Sequence, residues 1–363
     1  MINNTFISDN ASVASEFNAF FIESVQELSK NFKPVELRPD TLSQKTQNGF
    51  YIKEVTLEKV SKIMSNLNNS KTRDIHDLDG ELIKYHRTQL LKPITHLVNM
   101  SIQTKTFPES WKKAIISPIY KSGEPDLTCN YRPIAILPVV SKILEKVVAE
   151  QLILHLETNH LLHQQQFGFR PKHSTETAKC YLIEKIKCFL DKGHVVGGVF
   201  LDLKKAFNTV NHNVLLSKLS KFQFSDQASQ WFDSYLSGRV QCVRVSGQKS
   251  IFRNNSMGIP QGSVLGPLLF SMYINDLPEI CPAVGCQMYA DDTVIYTPAR
   301  SARQSAAHLN DSLHCIAKWL ESSNLTLNIT KTVSICFSML KQRDKETFLV
   351  KINNETINVV EDV

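Results

Sequence analysis

Val284-Gly285-Cys286-Gln287-Met288-Tyr289-Ala290-Asp291-Asp292-Thr293-Val294-Ile295-Tyr296 sets two adjacent carboxylates between two apolar runs. The flanking runs predict strands, and the short polar break between them predicts the tight turn of a hairpin. Strand interiors are depleted in Asp, and neighbouring like charges repel, so Asp291 and Asp292 are costly there unless a cation or hydrogen-bond network compensates. A divalent metal is the obvious compensating group.

A second run, Val195 to Leu203, is apolar until Asp202, the pattern of a buried central strand that delivers one carboxylate at its end. Folding that brings Asp202 beside Asp291 and Asp292 would create a site for two Mg²⁺ ions about 3.5–4 Å apart. Such a site stabilises both the attacking and the leaving oxygen of an in-line phosphoryl transfer. Taken singly, each acid has a blander reading: an Asp at a strand end is more often a turn or cap residue, and an Asp-Asp pair is more often a solvated turn. The combination of the three points to chemistry.

The rest of the chain permits this reading. Its 363 residues, 42% apolar and 21% charged, have the composition of a globular protein rather than a disordered or fibrous one. The net charge of +6 mildly favours a polyanionic partner. Eight cysteines lack Cys-x-x-Cys pairs or zinc-ligand spacing, and are expected to be reduced core thiols. Met1 to Asn10 lacks the pattern of a secretion signal, and Val264 to Ile274 is too short to span a bilayer. An intracellular protein, nuclear or cytoplasmic, neither secreted nor membrane-spanning, is expected.

Helical stripes run from Ser8 to Lys30 (Phe17, Phe20, Phe21, Val25, Leu28) and from Leu57 to Leu67 behind a Thr56 cap. Between them, Lys33 to Asn48 has the composition of a linker. Residues 80 to 110 predict further helix interrupted at Pro93, and Ala114 to Tyr120 a strand closed by Lys121-Ser122-Gly123. Helices are then predicted over 139–158, 175–192, 212–222, 226–237, 264–276 and 303–322, with strands over 195–203 and 239–246. No internal repeat appears, so the fold class is α+β: one body with a helical N-terminal extension.

Along the chain stand, in order, Trp111-Lys112-x-Ala114, Pro118 to Gly123, Asn130 to Ile134, Gln166-Phe167-Gly168-Phe169-Arg170, Ser174-Thr175-Glu176, Phe200-Leu201-Asp202-Leu203-x-Lys205-Ala206-Phe207, Gly258 to Pro267, Tyr289 to Asp292, and Leu325-x-Leu327-Asn328-x-x-Lys331-Thr332. In these motifs the chain resembles the reverse transcriptases of non-LTR (LINE-like) retrotransposons. The resemblance implies an RNA-directed DNA polymerase with a right-hand architecture. Fingers and palm would occupy residues 111–340, the palm an antiparallel sheet backed by helices. Residues 1–50 would be a helical extension and linker, 51–110 a helical lead into the fingers, and 341–363 the start of a truncated thumb. RNA template, DNA primer and dNTPs would be its partners. The oligomeric state is left open.

By that resemblance Asp202 and Asp291 are the main ligands of two Mg²⁺ ions, for which Mn²⁺ could substitute. The Leu203 carbonyl would help, and Asp292 would play the lesser part. Lys121 and Arg132 would clamp the incoming triphosphate; Arg132, between Tyr131 and Pro133, is expected to be packed rather than free. Lys205 and Ala206 would offer backbone amides to the phosphates, and Phe207 would crowd a ribose 2′-OH. Gln261, in a loop whose Pro and glycines permit close backbone approach, would contact nucleotide or template, and Lys331 would protonate the leaving pyrophosphate. Ser263 to Pro278 would be a palm helix. Solvated basic loops, an ordinary core Phe and a surface Lys are the competing readings of these residues.

Three positions depart from the family pattern: Asn208 where a second Asp is usual, Ala135 for a usual Ser, and Gln223 where Gly commonly follows a helix. With the thumb expected to be cut short, duplex should be held poorly. A catalytically silent nucleic-acid-binding relic is therefore the alternative function. An RNA-dependent RNA polymerase shares the acids, but Phe207 and the Pro-Gln-Gly segment argue against it.

Overall fold

The structure, a computed structural model, describes residues 9–30, 32, 49–339 and 348–361. The predicted linker Lys33 to Asn48 lies outside the described residues, as do residues 340–347. Instead of one body, the chain forms two compact units. One is drawn from the chain up to Asn159 together with Phe207–Leu269, the other chiefly from His160–Ala206 and Phe270–Val363.

The first unit holds a sheet ordered Tyr131–Ile136, Lys113–Tyr120, Arg239–Val245 and Gln248–Lys249, with Arg253–Asn255 also on Arg239–Val245. Its central pair, Lys113–Tyr120 with Arg239–Val245, is parallel, and the flanking pairs are antiparallel. The helix Asn10–Ser29 is not a detached extension. Ala14, Phe17 and Phe21 recur on one helical face and are buried against Ala114, Ile116, Ala135, Leu137 and Val243 of this sheet. Each of these Phe side chains contributes about 1.5–3 kcal/mol by leaving water.

The predicted helices are present with small shifts of boundary. Thr56 caps Leu57–Ser65, its hydroxyl accepting from the Lys59 amide at 3.3 Å. The break expected at Pro93 falls earlier, between Gly80–Tyr85 and Arg87–Thr104, with Pro93 inside the second helix. Pro93 is exposed, so the carbonyl that loses its partner there can be hydrated. The helix expected over 264–276 is shorter, Gly266–Tyr273, and Leu277–Ile280 is a separate turn.

The second unit holds a sheet ordered Asn358–Val359, Val333–Phe337, Val195–Leu201, Asp292–Ala299 and Gly285–Tyr289. Val195–Leu201 is central, as its near-unbroken apolar sequence required. All pairs are antiparallel except the edge pair Asn358–Val359 with Val333–Phe337, which is parallel. Helices cover both faces: Thr175–Asp191 packs Ile186 against Val196 and Tyr296, and Ala302–Ser322 places the Ser305 hydroxyl 2.9 Å from the Gly197 amide that donates to it.

Of the eight cysteines, all free, four are buried (Cys242, Cys281, Cys286, Cys336) and four exposed (Cys129, Cys180, Cys188, Cys315). The expectation of core thiols fails for the second set, three of which lie on the exposed faces of amphipathic helices. Among the described residues no helix is long and apolar enough to cross a membrane.

Candidate active site

The hairpin is built as the sequence predicts. Gly285–Tyr289 pairs with Asp292–Ala299, Tyr289 opposite Asp292, leaving Ala290 and Asp291 as a two-residue turn. Ala290 has φ +58°, whereas Asp291 is not among the positive-φ residues. Positive φ at the first central position is the pattern of a II′ turn, for which glycine is the ordinary choice. An alanine there is strained, and strain of this kind persists only when its surroundings impose it.

The neighbouring strand brings the third acid. Leu201 pairs with Thr293 as the last pair of the ladder, so Asp202 leaves its strand beside the end at which Asp292 begins the next. The main chain of Asp202 is held on both sides: its amide donates to the Thr332 hydroxyl at 3.2 Å, and its carbonyl accepts from the Asn328 amide at 2.8 Å. The Asn328 side-chain amide donates to Asp202 Oδ2 at 2.7 Å. Leu203 bridges Leu327. Asn328 and Thr332 thus orient Asp202, a role that their presence in the quoted Leu325 to Thr332 motif signalled without defining.

Partial burial, and then the negative charge of Asp202, raise the Asp292 carboxyl above its ordinary value. The charge that perturbs Asp292 is therefore another anion. Oxygen-only, anionic donors of this kind fit Mg²⁺. Of the three predicted acids, Asp202 and Asp292 are thus brought near enough for the charge of the first to act on the second. The described residues contain no set of three His, Cys, Asp or Glu side chains gathered to hold a metal.

The other candidate residues divide between the units. In the second, Lys205 has φ +49° and is exposed, Ala206 is buried, and Lys331 is exposed on the turn before Val333, its amide donating to the Asn328 carbonyl at 3.1 Å. In the first, Lys121 follows the strand Lys113–Tyr120, its amide donating to the Asn130 carbonyl at 2.8 Å. Arg132 is exposed rather than packed. It sits in a strand opposite Ile119, and strand alternation turns it to the open face while its neighbours Tyr131 and Pro133 take the other.

Phe207, half-buried, accepts at its carbonyl from the Ile259 amide at 2.8 Å. Gln261 donates from Nε2 to Asn208 Oδ1 at 2.8 Å, and its carbonyl accepts from the Ala135 amide at 2.6 Å. Gly262 has φ +114°, and a Cβ there would lie 2.5 Å from the Ala135 carbonyl oxygen, so the loop's glycine is required by close approach. Asn208 supplies Gln261 with an acceptor that Asp would supply equally.

Comparison with known proteins agrees with the sequence motifs. The family profile described as "Reverse transcriptase (RNA-dependent DNA polymerase)" matches residues 119–352. The chain belongs to the reverse transcriptase family. Its relatives in Drosophila melanogaster include the probable RNA-directed DNA polymerase from transposon X-element, 29% identical over 94% of this chain and 37% of the relative. The RNA-directed DNA polymerase from mobile element jockey is 29% identical over 86% of this chain and 36% of its own length. The probable RNA-directed DNA polymerase from transposon BS is 31% identical over 83% and 34%. The chain thus spans about a third of the length of these relatives. The resemblance to reverse transcriptases of non-LTR retrotransposons is thereby shown.

In this reverse transcriptase chain the charged form of Asp292 is disfavoured in the fold, first by burial and then by the negative charge of Asp202. A carboxyl raised in the folded state contributes stability at low pH that is lost as pH rises through its folded value. Asp292→Asn is therefore expected to raise the thermal midpoint at pH 7 in divalent-free buffer, with the gain shrinking as pH falls through the raised folded value and gone below the ordinary value of 3.8. Thermal unfolding across that range checks it; a lower midpoint at pH 7 refutes the repulsion.

Proposed function

We propose that this chain is an RNA-directed DNA polymerase that extends a DNA primer on an RNA template by phosphoryl transfer from dNTPs. The observation that carries the reading is the pairing of Leu201 with Thr293, which brings together the strand ends bearing Asp202 and Asp292, with Asp291 in the turn beside Asp292, within a chain of the reverse transcriptase family. Residues 111–340 would be the fingers and palm, the sheet bearing the acids belonging to the palm. The expected thumb begins after residue 340.

Asp202, Asp291, Asp292 and the Leu203 carbonyl would hold two Mg²⁺ ions, or Mn²⁺ in their place. Bound there, the ions would offset charge on the transferring phosphoryl group. The chain's own side chains do the remaining work. Lys121 and Arg132 grip the triphosphate, and the exposure of Arg132 suits a side chain that meets ligand rather than core. The Lys205 and Ala206 amides face the phosphates, Gln261 positions nucleotide or template, and Lys331 Nζ gives a proton to the departing pyrophosphate.

Purified protein should extend a DNA primer annealed to RNA when given dNTPs and Mg²⁺. Absence of extension by the folded protein would refute the reading in favour of the silent relic.

Phe207 would set the sugar. An aromatic ring rejects a 2′-OH by shape, a discrimination of the size that one added or missing group in a pocket achieves. Phe207→Ala is expected to lower the preference for dNTP over rNTP, measured as a ratio of kcat/KM, by about 10- to 100-fold. An unchanged ratio would make Phe207 a core residue.

A further inference from the structure

Beneath the acid-bearing turn lies a residue whose part in the chemistry neither motif nor family assignment defines. We infer that Gln166 is a positioning residue: its side-chain carbonyl fixes the strained Ala290 peptide and so aims the Asp291–Asp292 pair. The inference rests on the polymerase reading for its consequence, and on geometry alone for its structural content.

The segment Gln165 to Gly168 runs beside the strand Gly285–Tyr289 as a short parallel partner. The Met288 amide donates to the Gln165 carbonyl at 2.9 Å, the Phe167 amide donates to the Met288 carbonyl at 2.8 Å, and Gln166 bridges Met288. From this base the fully buried Gln166 side chain reaches up, and its Oε1 accepts from the Gly168 amide at 2.8 Å and the Ala290 amide at 3.3 Å. One oxygen thus ties two peptides together.

Gly168 completes the clamp. A Cβ at this position would lie 2.2 Å from the Ala290 amide nitrogen, so any side chain there would push the turn away. Ala290 itself is buried at φ +58°, a conformation that an L-residue with a side chain does not hold unaided. A hairpin closed only by its own strands would relax at this residue; the Gln166 oxygen gives the strained peptide a reason to stay.

The chemistry of the side chain is equally informative. Gln166 Nε2 is buried and has no hydrogen-bond partner among the described residues. A buried donor left unmet is a cost, so the residue is used for its acceptor. Reversing the amide would point Nε2 at two N–H groups, which fixes the orientation seen. A glutamate would supply the same acceptor without the idle donor, but it would set another negative charge under a turn that already carries two acids. A neutral carbonyl is the group that can brace this turn without adding to its repulsion.

The test is made on the full chain with two readouts. Gln166→Met preserves length and removes the acceptor. It is expected to speed hydrogen exchange of the Ala290 amide tenfold or more while exchange in Val195–Leu201 changes less than twofold. The primer-extension rate per active site, with active fraction taken from burst amplitude, should fall tenfold or more, with the dNTP KM within about twofold of wild type. A structural role alone would lower the active fraction and leave the rate per site unchanged. Unchanged Ala290 exchange overturns the clamp; faster exchange with an unchanged rate per site overturns its role in positioning.

If Gln166→Met fails to fold, Gln166→Glu and Gly168→Ala carry the same comparison. The first keeps the acceptor and should preserve Ala290 protection within about twofold, and the second should lose it tenfold or more; the reverse pattern overturns the inference. Failure of wild-type protein to polymerise would remove the polymerase reading but leave the exchange result to decide the clamp.

Discussion

Asp202→Asn is expected to lower the single-turnover rate of primer extension by about a thousandfold or more while leaving the protein folded. The substitution removes a charge with little disturbance of its setting. Asn retains an acceptor for the Asn328 side-chain amide, which in the native chain donates to Asp202 Oδ2 at 2.7 Å. The two main-chain bonds, to Thr332 Oγ1 and from the Asn328 amide, do not depend on the side chain. What is lost is one of the anions that would hold divalent cations. Such cations contribute several kcal/mol of transition-state stabilisation, and each ~1.4 kcal/mol is tenfold in rate.

Asp291→Ala should fall in the same range, whereas Asp292→Asn should cost less, because Asp292 is expected to have the lesser share of the metal. The ranking is checked on protein whose unfolding transition matches wild type. An Asp202→Asn variant within tenfold of wild type, or an Asp292 variant more damaged than either, would refute this division of labour.

The acids and their strands were legible in the sequence because they rest on local signals: period-two apolar runs, a polar break of turn length, and an apolar strand ending in Asp202. Pieces that depend on tertiary context were not. The strand Val333–Phe337, which flanks Val195–Leu201, is too short to announce itself beside the polar Asn328–Thr332 stretch. The apolar residues that flank Arg132 do not pack around it, because strand alternation puts neighbours on the opposite face. Gln166 was visible as part of a motif, but its oxygen meets Ala290 across 124 residues of chain, which no local pattern encodes.

Two departures from the family pattern also acquire physical content. Gln223 ends its helical turn with φ +60°, the conformation that glycine adopts without strain, and its carbonyl accepts from the Phe50 amide at 2.7 Å. The site therefore favours glycine for backbone reasons rather than chemical ones. Asn208 holds Gln261 through an oxygen that an aspartate would also offer. Neither substitution supports a silent relic.

The largest effect on stability is expected from Glu145→Leu, at about 3–5 kcal/mol of unfolding free energy. Glu145 is fully buried, and its Oε2 accepts from the Val264 amide at 2.7 Å, the Leu265 amide at 3.2 Å and the Tyr235 hydroxyl at 3.3 Å. It thereby anchors the chain just beyond Gly258–Gly262, the loop that presents Gln261. Arg239, also buried, stacks its guanidinium 4.3 Å from the Tyr235 ring centroid and is the main charge that offsets Glu145. Leucine would strand two amides, a hydroxyl and that guanidinium together.

Glu145→Gln should cost less, because it keeps a neutral acceptor, and its deficit should depend on pH. Burial raises the Glu145 carboxyl above its ordinary value of 4.5, outweighing Arg239 and the two amides. The stability linked to that carboxyl is therefore present below pH 4.5 and is lost as pH rises through the folded value. The Gln variant does not titrate, so the gap between it and wild type should narrow from pH 4 toward pH 8. Urea unfolding at several pH values measures both quantities. A gap that widens with pH would mean that Arg239 and the amides hold Glu145 ionised, and that the buried pair is a net source of stability.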